Sequence, residues 1–192
     1  MPNTDHGTFY PKSKQEWRQW LMENHQSKQS VWLLQYRKKS GKPSVEWSDA
    51  VDEALCFGWI DGMRKSIDEE SFVQFVCKRK PKSGWSKINK EKIERLIAEG
   101  LMTEAGLKSI EVAKQNGSWT LLDEVEELTI PDDLEMAFEA HTEAKDFFLS
   151  LSKSIRKMIL QRIAFAKKPE TRQKRINEVA TLAAKRQKPK QF

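Results

Sequence analysis

Apolar side chains recur along this chain with a spacing that changes partway through. In SKQEWRQWLMEN (13–24), Trp17, Trp20 and Leu21 fall at helical spacing, Asn24 continues the same side, and Ser13 stands where an N-cap belongs. VWLLQYR (31–37) is β-branched and aromatic, and the turn signal KKSGK leads from it into a second run, SVEW (44–47). The two runs predict a hairpin. Ser48 then caps a short helix whose Ala50, Val51, Ala54 and Leu55 face a core while Asp52 and Glu53 turn away from it. Asp49 and Asp52 in its first turn suit the positive end of the helix dipole. Two further strands, about 58–67 and 72–79, flank the polar turn DEES and predict a second hairpin.

After Pro81 the period becomes helical. Ile93, Leu96, Ile97 and Leu101 form a stripe, and Gly100 sits where a helix C-terminus uses it. Thr103 caps a helix to about 115, Pro131 opens another, and Thr142 and Ser152 cap two more. A helix at 153–168 carries Ile155, Met158, Ile159, Ile163 and Ala166 on one face, and Pro169 stops it. A last helix, about 170–186, sets Ile176, Val179, Ala180 and Ala183 inward. The expected fold class is α+β: a small N-terminal antiparallel sheet of two hairpins with helices over 1–90, then an all-helical half over 91–192 ending in a basic helix. The two halves form one compact unit or two closely packed subdomains.

Composition narrows the class. Seven Trp and nine Phe supply large buried surfaces despite an apolar content of 38%, so a folded chain is expected. The opening MPNTDHGTFYPKSKQEW has no apolar h-region, and no later stretch approaches the roughly 20 apolar residues of a membrane span. A cytoplasmic location follows as the expectation, with Cys56 and Cys77 as reduced core thiols. The net charge of +6 is unevenly placed: nine Lys or Arg lie between Lys167 and Lys190 against Glu170 and Glu178. Between Asp123 and Glu139 there are eight acidic residues and no Lys or Arg. Such asymmetry serves a polyanion partner, or two surfaces that attract one another within the fold.

No Walker loop, GxGxxG, GxSxG or HExxH occurs, which removes local support for nucleotide hydrolysis, dinucleotide binding, esterase chemistry and zinc proteolysis. His6, His25 and His141 show no metal-ligand spacing, and no metal or cofactor is expected. The blocks AVDEALCFGWIDGMRKSID (50–68), KRKPKSGWSKIN (78–89) and AKKPETRQKRI (166–176), with VWLLQYRKKSGKPSVEW before them, resemble the YdeI/OmpD-associated, or bacteriocin-protection, family. The chain departs from that pattern at Lys78-Arg79 and in KMILQRI. The resemblance implies a binding or stress-response protein linked to the envelope or to antimicrobial-peptide resistance, without an assigned reaction.

The matching blocks implicate Glu53, Trp59, Asp61, Arg64, Arg79, Trp85, Ser86 and Asn89. Aromatic walls with arginines and two carboxylates suit a small polar or anionic ligand or a peptide, bound without chemistry or as an enzyme's substrate. The competing structural reading makes Asp61-Gly62 a bulge, pairs Asp61 with an arginine, puts Trp85 in the core and lets Asn89 cap a helix. A second candidate is the basic helix, where Lys168, Arg172, Arg175, Lys185 and Arg186 would contact nucleic acid or anionic lipid. Its competing reading is a solvated basic face partly neutralised by the acidic stretch.

Overall fold

The computed structural model describes residues 7–141 and 143–189. It is α+β: in chain order β1 (Thr8–Phe9), α1 (Lys14–Asn24), β2 (Ser30–Tyr36), α2 (Trp47–Cys56), β3 (Trp59–Ser66), β4 (Ser71–Lys78), α3 (Lys87–Ala98) and α4 (Glu104–Gln115) precede five further helices. These are α5 (Asp123–Glu126), α6 (Asp132–Glu139), α7 (Ala144–Ser150), α8 (Lys153–Ala164) and α9 (Pro169–Ala184). The chain divides into two units, Met1–Ser83 with Ile88–Trp119, and Gly84–Lys87 with Thr120–Phe192. His6, Thr142 and Lys190 lie outside the described residues.

In the first unit a four-stranded sheet has the order β1-β2-β4-β3. β1 runs parallel to β2, and the other neighbours are antiparallel. Alternation along the strands sorts the side chains: Val31, Leu33, Phe72 and Val76 are buried on one face, and Trp32, Leu34, Val73 and Phe75 are half-buried on the other. Helix α1 lies against the first face. Its Trp20 meets Trp59 edge-on at 5.9 Å, Phe9 stacks on Trp20 at 5.6 Å, and the Trp17 indole N–H donates to the Ala50 carbonyl of α2 at 3.0 Å. Ser13 caps α1 by accepting from the Glu16 N–H, and Thr103 caps α4 by accepting from the Gly106 N–H.

The hairpin β3–β4 forms as its sequence predicts, but SVEW is not a strand. β2 pairs along its whole length with β4 and at Trp32 and Leu33 with β1. Beside the remaining edge, 44–46 is tied by side chains: Ser44 Oγ accepts from the Tyr36 N–H at 3.0 Å, and Gln35 Nε2 donates to the Val45 carbonyl at 3.0 Å. Helix α2 starts before the expected cap, at Trp47, and Ser48 Oγ, within its first turn, accepts from Lys92 Nζ at 2.9 Å. The turning away of Asp52 and Glu53 is also overturned: they are 4% and 1% exposed, and α2 is buried from Ala50 through Cys56. Cations reach both carboxylates. Asp52 receives Lys92 at 2.5 Å together with Arg95, while Glu53 receives Arg18 at 2.6 Å and Lys14 at 3.7 Å.

The outer strand β3 is protected as an edge. A register shift between Asp61 and Arg64 bends it, and Arg64 and Lys65 are exposed along it. In the second unit, Leu134, Phe138, Phe148, Ile159, Leu160, Ile163, Ile176, Val179, Ala180 and Ala183 share one core. The four inward positions expected of α9 are therefore buried. Of the stripe on α3, Ile93 and Leu96 are buried but Ile97 is 49% exposed.

Replacing Arg18 by Ala leaves the buried Glu53 carboxylate with only the distant Lys14. The expected loss is about 3 kcal/mol, against less than about 1 kcal/mol for Lys14→Ala, whose ion pair is longer and wetter. Urea denaturation of the two variants checks this, and equal losses would contradict it.

Candidate functional site

The C-terminal end of α2 and the N-terminal end of α4 meet closely enough to exclude side chains. A Cβ on Gly106 would lie 2.3 Å from the Cys56 carbonyl oxygen. Gly58 turns the chain from α2 into β3 at φ +72°, with Ala105 and Ser109 against it. Thr103 seals the junction by donating both its N–H, at 3.1 Å, and its hydroxyl, at 2.7 Å, to the Cys56 carbonyl. The Gly58 carbonyl in turn accepts the Arg79 N–H at 3.0 Å, so the end of β4 is fixed beside the same corner.

Around this corner lies a cleft of about 440 Å³ lined by His25, Gln26, Phe57, Gly58, Lys78, Arg79, Ala105 and Lys108. A depression of about 470 Å³ shares five of these residues and runs on to Met22, Thr103 and Glu104. Burial pushes the Arg79 guanidinium down to about 10, and Asp61 nearby only partly offsets this. Its Nη1 donates to Ser83 Oγ at 3.3 Å. Lys78 Nζ donates to the Gln26 carbonyl at 2.8 Å. His25 Nδ1 lies 2.8 Å from the Leu21 carbonyl, which can only accept, so Nδ1 carries the proton and Nε2 is the remaining ring nitrogen. The ring tilts on Phe57 at 5.1 Å. Three cationic side chains and a histidine thus surround an apolar wall, with Glu104 the acidic residue of the lining.

The sequence-derived residues are dispersed. Asp61 and Arg79 come together at one end of the β3–β4 pair. Trp59 stands beside them in sequence but is fully buried in the core. Arg64, beyond the bulge, lies over the Phe72 ring at 3.5 Å. Glu53 is locked between Arg18 and Lys14, and Arg18 also donates to the Leu101 carbonyl at 2.9 Å. Trp85 and Ser86 belong to the second unit, where Trp85 is 1% exposed, while Asn89 lies in the first turn of α3 in the first unit. Sequence reasoning missed His25 and Lys108, which carry no local motif, and Phe57, which lies in the 50–68 block but does not stand out from it.

Neither thiol is shifted toward the thiolate. Burial, with Glu53 adding to it, pushes the Cys56 thiol up to about 11, and burial raises Cys77 as well. No group of three or more His, Cys, Asp or Glu is placed to hold a metal ion among the described residues.

In the second unit, Arg172 of the basic helix meets the acidic stretch, and other arginines are engaged elsewhere in the unit. Arg172 makes a two-pronged contact with Asp133 at 2.6 and 2.8 Å. Arg175 donates to the Arg162 carbonyl, and Arg162 pairs with Glu178 at 2.9 Å. Arg186 lies 3.8 Å from Glu143. Lys168 and Lys185 are exposed at the two ends of α9.

The class so defined is an α+β protein with a sheet-and-helix unit carrying a cationic cleft and a second, helical unit. Residues 9–109, just over half of the chain, match the model of a domain of unknown function (DUF8412), and the chain belongs to that family. Residues 127–186 match the family described as bacteriocin-protection, YdeI or OmpD-associated, which bears out the resemblance over that part. The tail block of the resemblance falls in this second match, and the blocks at 50–68 and 78–89 fall in the first. No curated protein and no solved structure matches the chain. No helix among the described residues is long and apolar enough to cross a membrane.

Hydrogen bonding from Arg172 holds the Asp133 carboxyl below the ordinary carboxylate range. A carboxyl depressed on folding stabilises above its unfolded pKa, and that contribution disappears as pH falls through the lower, folded value. In Arg172→Gln the Asp133 resonance is expected to titrate at higher pH, followed by NMR between pH 2 and 6. An unmoved titration would contradict the pairing.

Proposed function

We propose that the protein is a non-catalytic binding protein of the YdeI/OmpD-associated type whose first unit captures the anionic group of a small polar ligand or peptide. The observation that carries this reading is the Arg79 guanidinium, depressed by burial, beside a cleft that also holds Lys78, Lys108 and His25. A cation whose hydration is reduced by burial gains from an incoming anion. Phe57 and Met22 offer apolar contact to the rest of such a ligand. Glu53, the carboxylate a hydrolytic mechanism would recruit, is engaged by two cations, which favours binding over catalysis. The proposal includes action in the cytoplasm, which the two free cysteines support, and a protective role, which the second unit's family match supports.

Calorimetric titration with inorganic phosphate, sulfate and succinate tests the cleft. Wild type is expected to bind at least one of the three. Arg79→Lys should weaken that binding about tenfold, because lysine cannot reproduce the planar fork, and Lys108→Ala should weaken it less. Arg172→Gln, in the other unit, should leave it unchanged. Failure of all three anions to bind, or full affinity in Arg79→Lys, would overturn the proposal.

A further inference from the structure

Helices α8 and α9 line a groove that belongs neither to the cleft at Arg79 nor to the acidic stretch. It encloses about 460 Å³ and its lining lies wholly within the second unit. Helical spacing builds it. On α8, Met158, Gln161, Arg162 and the cap residue Phe165 fall at i, i+3, i+4 and i+7, a stripe two turns long, or about 10 Å. On α9, Arg175 and Val179 stand one turn apart in the same lining. Ile159 and Val179 are buried beneath it, whereas Met158 is half-buried and Phe165 is 38% exposed. Pro189, buried although it lies past the end of α9, completes the wall.

The two guanidinium groups set into this apolar lining are not equivalent. Arg162 Nη2 pairs with the Glu178 carboxylate at 2.9 Å, so those two charges offset one another. Arg175 makes no ion pair among the described residues; its Nη1 donates to the Arg162 carbonyl in the last turn of α8. A carbonyl at a helix C-terminus carries only a partial negative charge, so this bond fixes the Arg175 guanidinium without neutralising it. Donation from Nη1 leaves the Nε–Nη2 edge of Arg175, the same edge that Arg172 turns to Asp133. The groove thus keeps one net positive charge, half-buried beside aliphatic and aromatic walls, and Gln161 adds a neutral amide donor.

We infer that the groove binds the anion of a medium-chain fatty acid, with its carboxylate on Arg175 and its alkyl chain along Met158, Phe165 and Val179. The charge selects the head group. One net positive charge matches a monoanion, and the Nε–Nη2 edge takes a carboxylate through two parallel hydrogen bonds. A phosphomonoester, at a charge of about −2 near neutral pH, exceeds what the groove offsets. The walls select the body. Covering Phe165 and Met158 removes their apolar surface from water, and the flexible Met158 thioether adapts to a chain of no fixed shape. An extended alkyl chain as long as the two-turn stripe is that of decanoate. The groove is in a different unit from the cleft at Arg79 and does not rest on the reading of that cleft.

Calorimetric titration of the full chain with decanoate, kept below its micelle-forming concentration, tests the inference. Decanoate should bind saturably and about tenfold or more tighter than hexanoate, since each fully covered methylene is worth about fourfold. Decanol, equally long but uncharged, should bind about tenfold less tightly than decanoate, and Arg175→Gln should abolish that difference by weakening decanoate alone. Phe165→Ala should weaken both ligands about threefold or more. Methyl NMR shifts at Met158, Ile159 and Val179 should saturate with the same affinity. Melting curves confirm that each variant folds; should Arg175→Gln fail to fold, the preference of wild type for decanoate over decanol carries the same test. Absence of decanoate binding, equal affinity for hexanoate, tighter binding of decyl phosphate than of decanoate, or full decanoate affinity in Arg175→Gln would each overturn the inference. So would a gain in affinity in Phe192→Ala, which would make Phe192 the occupant of the groove.

Discussion

Two adjacent carboxylates buried in one helix organise the first unit. Asp52 and Glu53 point to different sides of α2, and each would be prohibitively placed without its cations. Lys92 and Arg95 bring α3 to one side, and Arg18 and Lys14 bring α1 to the other. Arg18 then extends the consequence by holding the Leu101 carbonyl, which precedes the Thr103 cap of α4. Through Thr103 and Cys56 the start of α4 is pinned to the end of α2, and Lys108 thereby reaches the cleft that Arg79 enters from β4. The position of the cleft thus depends on charge burial one helix away.

Local chemistry made much of the fold legible. The Ser13 and Thr103 caps and the polar turn between β3 and β4 are decided by residues a few positions apart, and the structure follows them. The inward face of α9 was equally readable from its 3.6-residue period. The α2 helix was not. Amphipathic logic assigns Asp52 and Glu53 to solvent, because the cations that admit them to the core come from residues 14, 18, 92 and 95. SVEW has strand propensity, yet its place beside β2 is held by side-chain hydrogen bonds from Gln35 and Ser44, which no pattern of apolar residues encodes.

The candidate site was legible only in part. Arg79 and Asp61 are brought together, and both stood out in the sequence. Trp59 stood out for bulk that serves the core, and Trp85, grouped with it by motif, folds into the other unit. His25, Phe57 and Lys108 converge from three separate elements, so no spacing announces them. At α9 the net charge suggested a polyanion surface, whereas Arg172 meets Asp133 of the acidic stretch and Arg186, just past the helix, lies beside Glu143. Charge counting could not reveal that neutralisation, although the acidic stretch at 123–139 supplied its clue.

The central claim is that an anion settles in the cleft formed where α2, β4 and α4 converge. Amide and side-chain NMR shifts of the isotope-labelled full chain, followed during titration with inorganic phosphate, test it most directly. The account predicts saturable shifts at Gly58, Arg79 and Lys108 and at the His25 ring, with α9 unmoved. Shifts confined to α9, or spread linearly over surface lysines without saturation, would contradict it.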